Sequence, residues 1–175
     1  MKRILLIVLT VVIAVSMSGC MRAGGSTLEG INIEDAADAS KIKDSDYKDN
    51  LEGLEKYLKA LGYIPENSEP TEMMYAVIGA KDGDRYNFTL SGTTIFVELY
   101  QYDPENLNKE AKRVIGEVKE KGKFRVFSGD KEEDAFDATL SYSGKYLVMY
   151  TGDNNEEQTN RKKDFIKAVK EFHKG

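Results

Sequence analysis

The chain has 175 residues with 25 basic and 30 acidic side chains, no tryptophan, one cysteine and one histidine. A lone cysteine excludes an internal disulfide. A single histidine excludes multi-histidine metal sites, and the place of His173 near the C-terminus argues against a Ser-His-Asp site. The acidic balance argues against nucleic acid as a partner and against adsorption to anionic lipid.

Lys2 and Arg3 precede an apolar stretch, Ile4 to Val15, broken only by Thr10 and closed by Met17-Ser18-Gly19-Cys20. A positive start, an apolar run of this length and a small-residue junction are the grammar of a signal peptide. The run is shorter than the roughly 20 apolar residues that a membrane span needs. The junction resembles the lipobox of bacterial lipoproteins, with Met17 where leucine is usual. That resemblance implies cleavage of residues 1–19, a diacylglyceryl group on the Cys20 thiol, and a domain held at the outer face of the cytoplasmic membrane. It also accounts for a lone thiol in an exported chain. Loss of residues 1–19 leaves 23 cations against 30 anions, a formal charge of −7, so the lipid itself must supply the attachment. Acyl chains contribute about 0.8 kcal/mol per buried CH₂, and two of them suffice for stable anchoring.

Met21 to Lys43 is rich in Gly, Ser, Ala and Asp and poor in large apolar residues. It reads as a flexible tether joining the lipidated cysteine to a single domain over residues 44–175, with a random-coil reach of roughly 26 Å.

In the domain, Leu51, Leu54, Leu58 and Leu61 recur at helical spacing, Tyr47 lies one turn earlier, Asp46 is a candidate cap, and Gly62 and Pro65 are stop signals. Glu69 to Gly79 suggests a short helix, with a buried strand as the competing reading. Lys81-Asp82-Gly83-Asp84 reads as a turn. Tyr86, Phe88 and Leu90 then alternate as in a strand, and Ser91-Gly92 reverses the chain into a second strand, Thr94 to Tyr102. There Ile95, Val97 and Leu99 share one face, and Phe96, Tyr100 and Tyr102 share the other, so both faces are covered at least in part.

Asp103-Pro104 reads as a helix start, and Leu107, Ala111, Val114, Ile115 and Val118 form the apolar stripe of a helix ending near Gly122. A short strand is expected over Phe124 to Phe127, then a charged loop from Ser128 to Asp134. A second hairpin follows, with Phe136 to Tyr142 alternating and Tyr146, Val148 and Tyr150 returning after Ser143-Gly144. The last helix, about Glu156 to Phe172, buries Phe165, Ile166, Val169 and Phe172. Glu156 and Glu157 in its first turn and Lys170 and Lys174 in its last match the helix dipole.

Thr89-Leu90-Ser91, Tyr100 and Asp103 recur fifty residues later as Thr139-Leu140-Ser141, Tyr150 and Asp153. A duplicated β-β-α unit would give this echo, and so would the ordinary preferences of strands and helix caps. Either way the expected class is α+β: an antiparallel sheet of two hairpins plus a short strand, with three to four packed helices.

Ile78 to Gly83 (IGAKDG), Val97 to Asp103 (VELYQYD) and Lys145 to Asp153 (KYLVMYTGD) resemble a group of small lipoproteins of Gram-positive bacteria of unknown function. The likeness spans roughly Leu51 to Phe172. It implies the anchor and the fold, and brings no catalytic residue with it.

Chemistry is sparse. No glycine-rich phosphate loop is present, and the acidic clusters at Asp82/Asp84, Asp130 to Asp134 and Asp153 to Glu157 lack calcium-loop spacing. No cofactor or metal is expected. Tyr100, Tyr102, Tyr146 and Tyr150 are candidate ligand-contact aromatics, able to stack on sugar or peptide, although packing under helices explains them as well. The favoured reading is a non-enzymatic binding or accessory domain for an envelope protein or a small extracellular ligand. The rival is an extracytoplasmic hydrolase using carboxylates, with Glu98, Asp103 and Asp153 as residues to substitute. A purely structural envelope protein is the third reading.

Overall fold

A computed structural model describes residues 26–27, 41–128 and 131–174. The expected signal segment 1–19, Cys20 and most of the expected tether lie outside them. Eight strands are described: β1 (Ser26–Thr27), β2 (Thr71–Glu72), β3 (Asp82–Leu90), β4 (Thr93–Gln101), β5 (Lys123–Ser128), β6 (Lys131–Asp137), β7 (Thr139–Leu140) and β8 (Tyr146–Thr151). The helices are α1 (Leu51–Ala60), α2 (Lys109–Lys121) and α3 (Glu156–Glu171).

The central sheet has the order β1-β3-β4-β8-β7, with β2 also on β3, while β5 and β6 form a separate two-stranded sheet. Every pairing is antiparallel except that of β1 with β3. The architecture is α+β, as the sequence indicates.

The hairpin β3-β4 organises the rest. Ser91 (φ 47°) and Gly92 (φ 77°) both adopt left-handed conformations, the geometry of a two-residue turn whose twist matches the flanking strands. Leu90 therefore pairs with Thr93, and the register runs unbroken to Asp82 opposite Gln101. One sheet face, with Tyr86, Phe88, Ile95, Val97, Leu99, Val148 and Tyr150, packs beneath Leu54 and Leu58 of α1 and Phe165 and Val169 of α3. The opposite face, with Tyr100, Leu147 and Met149, packs beneath Ala111, Val114 and Val118 of α2 and Phe124 of β5. Each fully buried side chain of this kind contributes about 1.5–3 kcal/mol. Tyr146 to Tyr150 is buried at every position, because β8 lies between the two layers.

Several boundaries differ from the sequence reading. The cap of α1 is Asn50, which accepts from the Gly53 amide, whereas Asp46 closes a short 3₁₀ turn, Asp44–Asp46. Residues 69–79 form neither an α-helix nor a buried strand. The exposed pair β2 is followed by a 3₁₀ turn, Tyr75–Ile78, which Gly79 ends in the left-handed region at φ 71°. Asp82 to Asp84 is strand rather than turn, since pairing with β4 carries β3 back to Asp82 and Gly79 makes the bend instead.

Asp103 caps only a local turn, accepting from the Glu105 amide and from the Asn106 side chain. Helix α2 starts five residues later than Pro104, behind Asn108, whose side chain accepts from the Ala111 amide. Lys131 to Asp134 is strand, paired with β5, where a charged loop was expected.

The second expected hairpin is interrupted. The Ala138 amide donates to the Gly122 carbonyl at 2.9 Å, which separates β6 from β7 and leaves β7 two residues long. The two halves of the echo thus differ: the first is a hairpin of two nine-residue strands followed by a helix on one face, and the second a truncated hairpin followed by a helix on the other. Ser26 and Thr27, within the expected tether, pair with Phe88 and Thr89.

Candidate functional site

The apolar stripe of α1 turns Leu51, Leu54 and Leu58 onto the sheet, which leaves Glu55 and Lys59, one turn apart, on the flank beside β3. On β3 the alternation that buries Tyr86, Phe88 and Leu90 puts Asp84 on the same face, at the strand's open end. The Glu55 carboxyl therefore meets Asp84, the Tyr86 hydroxyl and Lys59 at the seam between helix and sheet.

Burial, the largest cause, and the neighbouring Asp84 together raise the Glu55 carboxyl from 4.5 to about 8, against the opposing effects of the Tyr86 hydroxyl and Lys59. Its Oε1 is buried and makes no hydrogen bond. Burial also pushes the Tyr86 hydroxyl above its ordinary value, with Glu55, Asp84 and Glu69 adding to the effect. Lys59 Nζ lies 5.5 Å from the centre of the Tyr86 ring and donates to the carbonyls of Ser68 (2.7 Å) and Glu66 (3.3 Å). It thereby fixes the loop after α1 over the cluster. A carboxyl raised in this way beside a second carboxyl is one arrangement able to serve general acid–base chemistry.

The four tyrosines expected as ligand contacts are all buried, and they fall into two sets. Tyr100 and Tyr102 lie in the layer under α2, and Tyr146 and Tyr150 in the layer under α1 and α3, so they share no stacking platform. The Tyr100 hydroxyl donates to Glu98 Oε2 at 2.7 Å, and that of Tyr102 donates to the Ile78 carbonyl at 3.2 Å. The Tyr146 hydroxyl donates to Asp49 Oδ1 at 2.7 Å, while the buried Tyr150 hydroxyl has no hydrogen-bond partner. Burial, reinforced by Glu98 for Tyr100 and by Asp49 for Tyr146, holds these phenols protonated well above their ordinary range.

Glu98, Asp103 and Asp153 are not brought together. Glu98 accepts from Arg85 Nε at 2.9 Å across β3 and β4, Asp103 holds its local turn, and Asp153 pairs with Lys162 at 3.0 Å. Cys20 lies outside the described residues. Glu55 was missed in the sequence: its spacing from Lys59 marks a helix flank, and nothing local joins residue 55 to residue 84.

Among the described residues no group of three or more His, Cys, Asp or Glu side chains is placed to hold a metal ion. No described helix is long and apolar enough to cross a membrane. Comparison with known proteins gives no family model, no curated protein and no solved structure that matches the chain.

Proposed function

We propose that the chain is an exported lipoprotein, held through Cys20 at the outer face of the cytoplasmic membrane. Its α+β domain acts as a non-enzymatic binding or accessory module for an envelope protein or a small extracellular ligand. The observation that carries the reading is the run from Lys2-Arg3 through Ile4–Val15 to Met17-Ser18-Gly19-Cys20, with Cys20 the sole cysteine. The exposed large apolar side chains Phe96 and Tyr142 support a contact role.

The test compares wild type with Cys20→Ala in cells fed an alkyne fatty acid, followed by fractionation and crosslinking. Wild type takes up the label, stays with the membrane and captures a defined envelope partner, and the variant loses all three. An unlabelled wild-type protein in the culture medium overturns the anchor. Label without any saturable partner or ligand overturns the binding role.

A second reading, a carboxylate-dependent hydrolase of envelope material, is favoured by the Glu55–Asp84 pair. Glu55→Gln and Asp84→Asn, each assayed on peptidoglycan fragments, decide it: loss of turnover with unchanged melting temperature selects the hydrolase.

A further inference from the structure

Strand β4 occupies one edge of β3, so β1 and β2 lie along the other. Ser26 stands opposite Phe88 and Thr71 opposite Arg85, a separation of three residues, or about 10 Å along the strand. Beyond β2 the chain makes the Tyr75–Ile78 turn, within Met73 to Ala80, a run of eight uncharged residues. Met74 is 82% exposed and Val77 42%, whereas Ile78 and Ala80 beside them are buried. The side chains left outside are thus the apolar ones of an otherwise anchored turn.

We infer that this turn, with Met74 and Val77 at its crest, is a membrane-contact surface resting in the interfacial layer of the bilayer that holds Cys20; the inference depends on the lipid-anchor reading above. Chain length selects the bilayer as occupant. Six peptide steps separate Cys20 from Ser26, at most about 21 Å of chain, and β1 begins at its end nearer β2. From Ser26 to Met74 the path along β3 and out through β2 is also at most about 21 Å. Ser26, where the segment from Cys20 joins the sheet, and the apolar turn thus share one edge of the domain, and the chain lets neither Cys20 nor Met74 lie more than about 21 Å from Ser26. The formal charge of −7 on the mature chain repels the remaining surface from anionic lipid, and so favours an uncharged segment at the contact.

The test uses the full lipidated protein in phosphatidylglycerol–phosphatidylethanolamine vesicles. Because the lipid blocks Cys20, Met74→Cys supplies a single free thiol for a nitroxide label; Val77→Cys is a second site, and Lys167→Cys on exposed α3 is the reference. Collision with oxygen, enriched in lipid, is compared with collision with a water-soluble nickel chelate. The expected result is an oxygen-to-nickel ratio several-fold higher at 74 and 77 than at 167. Equal ratios at all three sites, with the diacylglyceryl mass confirmed on Cys20, overturn the contact while leaving the anchor intact. Shielding of 74 from both reagents also overturns it, since a protein surface then covers the turn. Absence of the diacylglyceryl mass overturns anchor and contact together.

Discussion

Glu55 on α1 and Asp84 on β3 bring two carboxyl groups together across the helix–sheet seam, and the fold keeps a proton on the pair. Burial, the largest cause, and the neighbouring Asp84 carboxylate both favour the protonated form of Glu55.

The pair makes stability depend on pH. In the unfolded chain Glu55 titrates at 4.5 and in the fold at about 8, so the folded state holds the extra proton between those values. The stabilisation is complete below the lower value and is lost as pH rises through the upper one. Asp49 and Glu117 work in the opposite sense: burial raises them, hydrogen bonds from Lys145 and Tyr146 or from Arg113 lower them by more, and their contribution is lost in acid. Wild type should therefore melt progressively lower from about pH 5 to about pH 8.5, and Glu55→Gln should flatten that slope. Calorimetry at several pH values measures both, and an unchanged slope in the variant removes Glu55 as the cause.

Tyr146 ties β8 to the segment ahead of α1. Its hydroxyl donates to Asp49 Oδ1, while Lys145 pairs with Asp49 Oδ2 at 2.8 Å. Tyr146→Phe should cost about 1 kcal/mol in urea unfolding, the net worth of one hydrogen bond, with the ring packing against Phe172 retained.

Gln158 is fully buried at the start of α3. Its Nε2 donates to the Leu90 carbonyl at 3.1 Å, and its Oε1 accepts from the Asn154 amide at 2.9 Å. Gln158→Ala removes both hydrogen bonds, the one to the Leu90 carbonyl in the interior and the one from the exposed Asn154, and should cost about 2 kcal/mol. An exposed α3 substitution such as Lys167→Ala should be near neutral by the same measurement.

Gly62 and Gly79 share φ 71°, but their surroundings differ. A Cβ on Gly62 meets nothing within 4 Å, whereas one on Gly79 comes within 2.4 Å of the Ala111 amide nitrogen. Gly62→Ala should cost about 1 kcal/mol of left-handed strain. Gly79→Ala should cost more than about 3 kcal/mol, because α2 must move away from the turn. Comparable melting points for the two variants would contradict the close approach of Gly79 to α2.

Much of this was legible locally. The leucines of α1, the alternation of Tyr86, Phe88 and Leu90, the Ser91-Gly92 turn, and the stripes of α2 and α3 follow from periodicities that each segment carries alone. Helix starts were misplaced where several cap-competent residues crowd together: Asp46 and Asn50, or Asp103 and Asn108, are chemically alike, and only packing selects which one faces the first turn.

The tertiary structure decided what depends on distant partners. Asp82 to Asp84 has turn composition but is drawn into β3 by β4, and Ala138 breaks a strand because its amide finds the Gly122 carbonyl. Gln101 shows the same: its side chain accepts from the Leu51 amide across fifty residues and satisfies a helix-start donor, which no local pattern announces. The tyrosines alternate as strand residues should, yet which layer buries each depends on helices docked on opposite faces of one sheet. The apolar periodicities, and the signal-like pattern on which the proposed export rests, belong to the sequence by itself, because they are local. The Glu55–Asp84 pair belongs to the fold, because only helix–sheet packing brings two carboxyls 29 positions apart into contact and buries that of Glu55.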